Sequence, residues 1–177
     1  MIVRWTRFNM YLCAACATAL FCGCQTPESK HKKQLSTLRL HLEVNPDATA
    51  RNQVVPVYRE NPVSITVEKS FFLSEVNITE AKVVDAVGGF EIRLQFDREG
   101  TWLLEQYSTA NLGRRVVIFS QFGEDLKQTR WLAAPKLSRR ITDGFFTFTP
   151  DASREEAEDI VLGLNNVAKK LHHKSEW

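Results

Sequence analysis

All four cysteines of this chain lie within its first 24 residues, and this placement constrains how the rest of the chain can be stabilised. Cys24 is the only thiol in residues 24–177, so that part cannot form an internal disulfide. An apolar core must therefore hold it together, and its length is enough for one domain or two small lobes.

The first residues have the features of a secretion signal. Arg4 and Arg7 give a positive start, and the following residues 10–21 carry no charge. This apolar stretch is too short to cross a bilayer, because a spanning helix takes about 20 apolar residues. The segment therefore predicts a signal peptide over residues 1–23.

The end of this segment resembles the lipobox of bacterial lipoprotein signals. A small residue, Gly23, directly precedes Cys24, although Phe21 and Cys22 depart from the preferred residues. The resemblance implies that the Cys24 thiol receives diacylglycerol and anchors the mature protein to a membrane. Ordinary signal cleavage and retention as a membrane anchor are the alternatives. Gln25 is not the aspartate associated with inner-membrane retention, which favours outer-membrane sorting.

Removal of the signal would lower the formal net charge of the protein. Arg4 and Arg7 leave with residues 1–23 and no acidic residue does, so the formal net charge falls from +2 to zero. Nucleic acid binding needs a clustered basic surface, so we expect no nucleic acid partner. The C-x-x-C spacing of Cys13 and Cys16 lies inside the apolar stretch, which favours a membrane-embedded role over a redox or metal site.

The remaining chain divides into four segments by its pattern. Residues 24–34 are polar and predict a tether, and residues 35–72 predict a small β-rich lobe. Residues 73–171 predict an α+β module, and residues 172–177 a C-terminal tail.

The β-rich lobe begins with a strand of alternating residues. Leucine or valine at positions 38, 40, 42 and 44 alternates with polar side chains, which predicts a half-buried strand with His41 on its solvated side. Residues 54–58 and 63–67 are rich in β-branched side chains and predict a hairpin-like pair. Pro56 pushes its strand toward a sheet edge.

The α+β module contains two helices with clear ends. Asp97 predicts the start of the first and Gly113 its end, with apolar side chains on one face, namely Leu103, Leu104, Tyr107 and Ala110. Ser153 and Glu156 form a capping box for a second helix over residues 154–171. Within it, Gly163 predicts close packing.

Five strand patterns accompany these helices, in the order β, β, α, β, β, β, α from Ile78 onward. This order predicts an α+β fold in which two helices cover one face of a mostly antiparallel sheet, a ferredoxin-like module.

Residues 96–119 carry a family resemblance. They read FDREGTWLLEQYSTANLGRRVVIF, and this pattern resembles the first periplasmic domain of SecD, the protein-export subunit. The matching positions are Phe96, Asp97, Glu99, Gly100, Asn111, Gly113, Arg114, Arg115 and Ile118. Ala134-Pro135 and the stretch from Phe148 to Ala157 resemble further elements of that family. The resemblance implies a soluble module that faces the periplasm and handles emerging polypeptide.

Two departures from the family limit what the resemblance implies. SecD is polytopic and uses intramembrane charges, whereas no apolar stretch follows the signal here, so energy transduction is not carried over. The hairpin between Phe119 and Ala134 is several residues longer than in the family and carries Phe122 and Trp131.

Candidate site residues fall on this module. The lengthened hairpin predicts partly exposed Phe122 and Trp131 in contact with a partner, the alternative being that both complete the core. Arg114 and Arg115 could bind a carboxylate or phosphate, or interact with the carbonyls at the helix end.

Signals for catalysis and metal binding are weak. The chain has no G-x-S-x-G, H-E-x-x-H or P-loop motif, so we expect no catalytic residues and no cofactor. His172 and His173 point about 100 degrees apart on a helix, which favours a solvated tail over a metal site.

The sequence thus favours a non-catalytic, lipid-anchored extracytoplasmic module that binds polypeptide or a membrane-protein partner, with a link to protein export. A structural envelope lipoprotein without a client peptide is the second hypothesis. An unrecognised ligand sensor or hydrolase is the third.

Overall fold

The structure is a computed structural model that describes residues 34–47 and 50–172, without the side chain of His172. The signal, the lipid attachment predicted for Cys24 and the histidines His31 and His173 lie outside the described residues. Within the described residues, no helix is long and apolar enough to cross a membrane.

The described chain forms eight strands and two α-helices. In chain order they are β1 (Thr37–Glu43), β2 (Asn52–Val57), β3 (Val63–Ser74), β4 (Ile78–Ala86), β5 (Gly89–Phe96), α1 (Arg98–Ala110), β6 (Val116–Phe122), β7 (Gln128–Ala133), β8 (Phe145–Phe148) and α2 (Arg154–His172). From β4 onward this is the order predicted by the sequence, which is confirmed.

The strands form two antiparallel sheets. The five-stranded sheet has the order β2-β3-β1-β6-β7, and the three-stranded sheet has the order β4-β5-β8. The predicted α+β class with mostly antiparallel strands and two helices is confirmed, but the strands divide between two sheets. β1 pairs with β3 on one side and β6 on the other, so segments 35–72 and 73–171 both contribute to the five-stranded sheet.

The main core lies between the two sheets and the helices. Leu40 and Ile118 from the five-stranded sheet join Leu94 from the three-stranded sheet, and all three are fully buried. The helices add Leu104 from α1 and Ile160 from α2 to the same cluster. Burial of this apolar surface is the main driving force for folding, and it joins both sheets into one core.

A second apolar cluster lies on the opposite face of the five-stranded sheet. We define the second cluster as Val55, Val57, Ile65, Val67 and Val117, with Trp131 and Ala134 packed against it. The edge strands β2 and β7 lie close to each other, so the sheet curls around these valines. Both faces of the five-stranded sheet are therefore covered, at least in part, by apolar side chains.

Both helices begin with the predicted caps. The Gly100 backbone N–H donates to Asp97 Oδ1 at 2.7 Å. Ser153 N–H donates to Glu156 Oε2 at 2.9 Å and Glu156 N–H to Ser153 Oγ at 3.1 Å, which is the predicted capping box. Gly113 follows α1 with φ of 85°, the left-handed conformation predicted for it.

The buried face of α1 differs from the predicted one. Leu104 is its buried apolar side chain, between the buried Gly100 and Ser108, whereas Tyr107 is half-buried and Ala110 is exposed. Gly100 explains the rotation, because a Cβ there would lie 2.9 Å from the Asn77 side chain and 3.0 Å from that of Phe96. The helix thus approaches its neighbours most closely along its glycine side.

A charged cluster joins β7 and the end of β2 to the start of α2. Arg130 on β7 donates two hydrogen bonds to the Glu156 carboxylate, at 2.9 and 3.0 Å. The Arg59 backbone N–H donates to Asp151 Oδ2 at 2.7 Å. Hydrogen bonds from Arg130 lower the pKa of Glu156, so the carboxylate stays ionised and the cluster stays intact near neutral pH.

Candidate functional site

The structure buries Phe122. Only 1% of it is exposed, and it packs in the main core with the Arg130 guanidinium carbon 5.2 Å from its ring centre. The expected partial exposure is therefore wrong for Phe122. The physical reason is that β6 continues through this residue, so Ile118, Ser120 and Phe122 all face the main core.

Trp131 lies on the other face of the same sheet and is half-buried. Its ring centre is 4.9 Å from that of Phe119 and 5.2 Å from that of His41. Trp131 sits opposite Phe119 in the β6–β7 register, which accounts for this contact.

The side chains around Trp131 form a continuous surface across four strands. We define the aromatic face as Phe71 on β3, Arg39 and His41 on β1, Phe119 on β6 and Trp131 on β7. His41 is opposite Phe71 and Arg39 is opposite Phe119 in the strand registers, so the four strands bring these residues together. Phe71 is 45% exposed, and Arg39 and Phe119 are half-buried, so part of this surface is open to solvent.

Arg39 gives the aromatic face a cationic element. Its guanidinium carbon lies 5.1 Å from the centre of the Phe71 ring, a cation–π contact. Its Nε atom is buried and has no hydrogen-bond partner among the residues that the structure describes. The combination of edge-to-face and tilted rings with a guanidinium suits contact with apolar and aromatic side chains and with carbonyl oxygens of a polypeptide.

His41 is buried, and the expectation that it is solvated is wrong. It is 5% exposed, and its Nδ1 donates a hydrogen bond to the Glu68 carbonyl oxygen at 2.9 Å. Alternation along β1 predicts a polar face, but that face of the sheet is covered by Trp131 and Phe71. Burial lowers the pKa of His41, and the nearby Arg39 charge lowers it further.

The pH dependence of stability should report on His41. The folded-state pKa of His41 is below the ordinary value of 6.5. As the pH falls past 6.5, the unfolded chain therefore binds more protons at this position than the folded protein does. The contribution of neutral His41 to stability is complete above this pH and is lost as the pH falls toward the folded-state pKa. We expect Tm to fall more for the wild type than for His41→Gln between about pH 7.5 and 5. Equal decreases in a calorimetric comparison would contradict this linkage.

Arg114 and Arg115 lie at the start of β6 and have their own contacts. The Arg115 backbone N–H donates to Glu43 Oε2 at 2.8 Å, and its guanidinium is 3.9 Å from the same carboxylate. Arg114 N–H donates to the Asn111 carbonyl at 3.1 Å, which continues the end of α1. The candidate residues from the sequence are therefore divided among the main core, the aromatic face and the start of β6.

The described residues offer little for catalysis or metal binding. They contain no group of three or more His, Cys, Asp or Glu side chains that could hold a metal ion. His41 has a backbone carbonyl as its hydrogen-bond partner, with its ring between aromatic side chains. The aromatic face can therefore make stacking, apolar and hydrogen-bond contacts, and we see no arrangement on it of a nucleophile with a base.

Sequence patterns did not indicate two of the exposed aromatic residues. The sequence pattern predicts a strand over residues 63–67 only, whereas β3 extends to Ser74 and includes Phe71. Trp102 is 57% exposed on α1, although it stands beside two leucines. Neither position carries a signal in the alternation or helical periodicity that separates an exposed aromatic side chain from a buried one.

Comparison with known proteins identifies the fold. Residues 52–168 match the family described as the SecDF P1 head subdomain. No curated protein matches the chain. A solved structure of SecDF, described as a membrane component that enhances protein export, aligns with a TM-score of 0.54 at 19% identity, over 78% of this chain and 66% of that one. SecDF in a super-membrane-facing form aligns with a TM-score of 0.53 at 17% identity, over 80% of this chain and 21% of that one.

These matches confirm the resemblance carried by residues 96–119. The chain spans only 66% and 21% of the two solved SecDF chains, and at these identities they establish the fold alone. The matched residues extend from β2 almost to the end of α2 and make up more than half of the chain. The chain therefore belongs to the SecDF P1 head subdomain family.

Proposed function

We propose that this protein is a non-catalytic, extracytoplasmic module that binds unfolded polypeptide through the aromatic face, in association with protein export. The observation that carries the proposal is a partly exposed, four-strand aromatic surface on a domain of the SecDF P1 head family. Polypeptide in transit presents apolar side chains and unpaired carbonyl groups. Half-buried rings beside a guanidinium provide contacts for both.

The proposed location follows from the first residues and the family. A signal over residues 1–23 with lipid attachment at Cys24 would anchor the module to a membrane, and residues 24–34 would serve as its tether. The resemblance to the first periplasmic domain of SecD supports a position on the periplasmic side. Intact-mass analysis tests this proposal, because a mature protein without acyl mass would contradict lipid attachment.

Binding to a permanently unfolded protein tests the function directly. The probe is a reduced and carboxymethylated polypeptide, and its affinity for the purified protein is measured by fluorescence anisotropy. We expect Phe71→Ser to weaken binding about tenfold, which equals about 1.4 kcal/mol, because an exposed aromatic side chain is a common anchor in interfaces. Phe71 is 45% exposed, so its replacement should lower Tm only modestly, and a Tm measurement checks that the variant remains folded.

Trp102→Ser is the matched control, because it removes an exposed aromatic side chain from α1, outside the aromatic face. We expect it to retain wild-type affinity. Equal losses in both variants would indicate nonspecific hydrophobic contact. Wild-type affinity in Phe71→Ser would exclude the aromatic face as the binding surface, and absence of binding by the wild type would favour the structural envelope role.

A further inference from the structure

The outer edge of β4 in the three-stranded sheet is occupied by a side chain at Ala81. Asn165 on α2 accepts a hydrogen bond from Ala81 N–H at 2.9 Å through Oδ1, and its Nδ2 donates to the Ala81 carbonyl at 2.9 Å. The amide thus takes the place that a neighbouring strand would occupy. No further strand can pair with Ala81 while this contact is present.

The edges of the five-stranded sheet are also protected. Its edge strands β2 and β7 lie close together, and Pro56 removes a backbone donor from β2. On β7, the Leu132 carbonyl already accepts a hydrogen bond from Asp151 N–H at 2.7 Å. Thr147 on the outer edge of β8 has no such backbone contact among the described residues.

Backbone groups of β8 face outward from the sheet. The backbone N–H and C=O groups of Ala81 point away from β5, toward Asn165. Leu94 is opposite Ala81 on β5, so the backbone groups of Leu94 point away from β4, toward Phe146 on β8. The backbone N–H and C=O groups of the neighbouring residues Phe145 and Thr147 must then point away from β5. Phe145 N–H is bonded to Asp143 Oδ1 at 3.1 Å, whereas neither backbone group of Thr147 has a partner among the described residues.

A positively charged groove of about 420 Å³ lies along this edge. Arg93, Lys136 and Arg139 line it, and the first two have no ion-pair partner among the described residues. Arg139 has one carboxylate contact, to Asp143 at 3.9 Å. Phe145, which is 42% exposed, adds an apolar wall. An extended chain with an acidic side chain matches both the unpaired edge and this charge.

We propose that β8 binds an extended polypeptide as an added strand, with an acidic side chain opposite Thr147. Arg93 is directly opposite Thr147 in the β5–β8 register, so the acidic residue would share their row. Neighbouring strands are about 4.8 Å apart, so the backbone of the acidic residue would lie roughly 10 Å from the Arg93 backbone. The two long side chains can reach each other over this distance. The proposal takes its partner class from the proposed function but uses a separate surface.

Synthetic peptides test the hydrogen bonds and the charge separately. The first probe is a capped, fluorescent ten-residue peptide of alternating threonine and valine with a central glutamate. The second carries an N-methyl group on each of two residues whose N–H groups face β8, and the third has lysine in place of glutamate. We expect the second and third to bind the full-length protein at least about tenfold more weakly than the first.

Charge reversal in the protein supplies the matched comparison. The double variant Arg93→Glu with Lys136→Glu should bind the glutamate peptide about tenfold more weakly and the lysine peptide more tightly. The control Lys170→Glu, which changes an exposed side chain on α2, should alter the affinity for neither peptide. Binding of the first peptide should also slow hydrogen exchange at the Thr147 amide. All variants change exposed side chains, and their Tm values check that each remains folded.

Several outcomes would overturn the proposal. Equal binding of the N-methylated peptide would exclude strand addition, and equal binding of the lysine peptide would exclude the acidic partner. Protection of the Thr147 amide without peptide, in a protein that dimerises, would assign the edge to a second copy. If the unfolded probe binds through Phe71 while the glutamate peptide does not bind, this proposal fails and the proposed function stands. If the glutamate peptide binds at β8 while the unfolded probe does not bind through Phe71, the proposed function fails and this proposal stands.

Discussion

Replacing Phe122 with alanine is expected to lower the free energy of unfolding by about 3 to 5 kcal/mol, the usual cost of truncating a buried aromatic residue. The side chain is 1% exposed and lies in the main core, where its loss would leave a cavity. Such a loss is a large part of the stability of a small domain, about 5 to 15 kcal/mol in total. Chemical denaturation followed by circular dichroism measures it.

Phe145→Ala is the matched control for Phe122→Ala. Phe145 is 42% exposed, so removing its ring should cost much less than removing the buried one. Similar losses in the two variants would mean that Phe122 contributes no more than a surface side chain. That result would contradict its assignment to the core and restore it as a candidate for partner contact.

Alanine at Gly163 is expected to destabilise the protein by about 3 kcal/mol, the upper end of the range for inserting an atom into a packed core. A Cβ at this position would lie 2.2 Å from Ser36 Oγ, 2.6 Å from Ser36 N and 2.7 Å from the Leu35 carbonyl carbon. Two of these atoms are backbone, so relief requires α2 and the residues before β1 to move apart. Elsewhere in a helix, the same change stabilises by about 1 kcal/mol.

Gly89→Ala provides the comparison for Gly163→Ala, because a Cβ at Gly89 would meet no atom within 4 Å. We expect its free energy of unfolding to change by less than about 0.5 kcal/mol. Adding Ser36→Ala to Gly163→Ala should restore little stability, since the backbone contacts remain. Full recovery in this double variant would show that the Ser36 hydroxyl alone limits the approach of the two segments.

Local signals predicted the second half of the chain well. Asp97, Gly113 and the Ser153–Glu156 capping box each act within a few residues, so sequence neighbours determine the helix ends. The order of strands and helices from Ile78 onward follows from the same kind of signal. The family resemblance of residues 96–119 rests on this well-predicted part.

Long-range pairing explains what the sequence did not indicate. The insertion of β1 between β3 and β6 joins residues far apart in the chain, and no local pattern specifies that partner. The aromatic face depends on the same registers, which bury His41 and expose Phe71. Periodicity alone does not show that β6 extends through Phe122, so the sequence pattern places this residue in the hairpin.

The close contact between α2 and the residues before β1 determines how the domain would respond to a pulling force. Asn166 Nδ2 donates to the Gln34 carbonyl at 3.0 Å, and Gly163 lies against Ser36, so the chain enters the domain held against this helix. Tension directed along β1 would act on a strand that is hydrogen-bonded on both sides, to β3 and β6. The strand would be loaded in shear, so its hydrogen bonds would share the force instead of opening one after another. The pairing of β1 on both sides would therefore help the domain to remain folded under such tension.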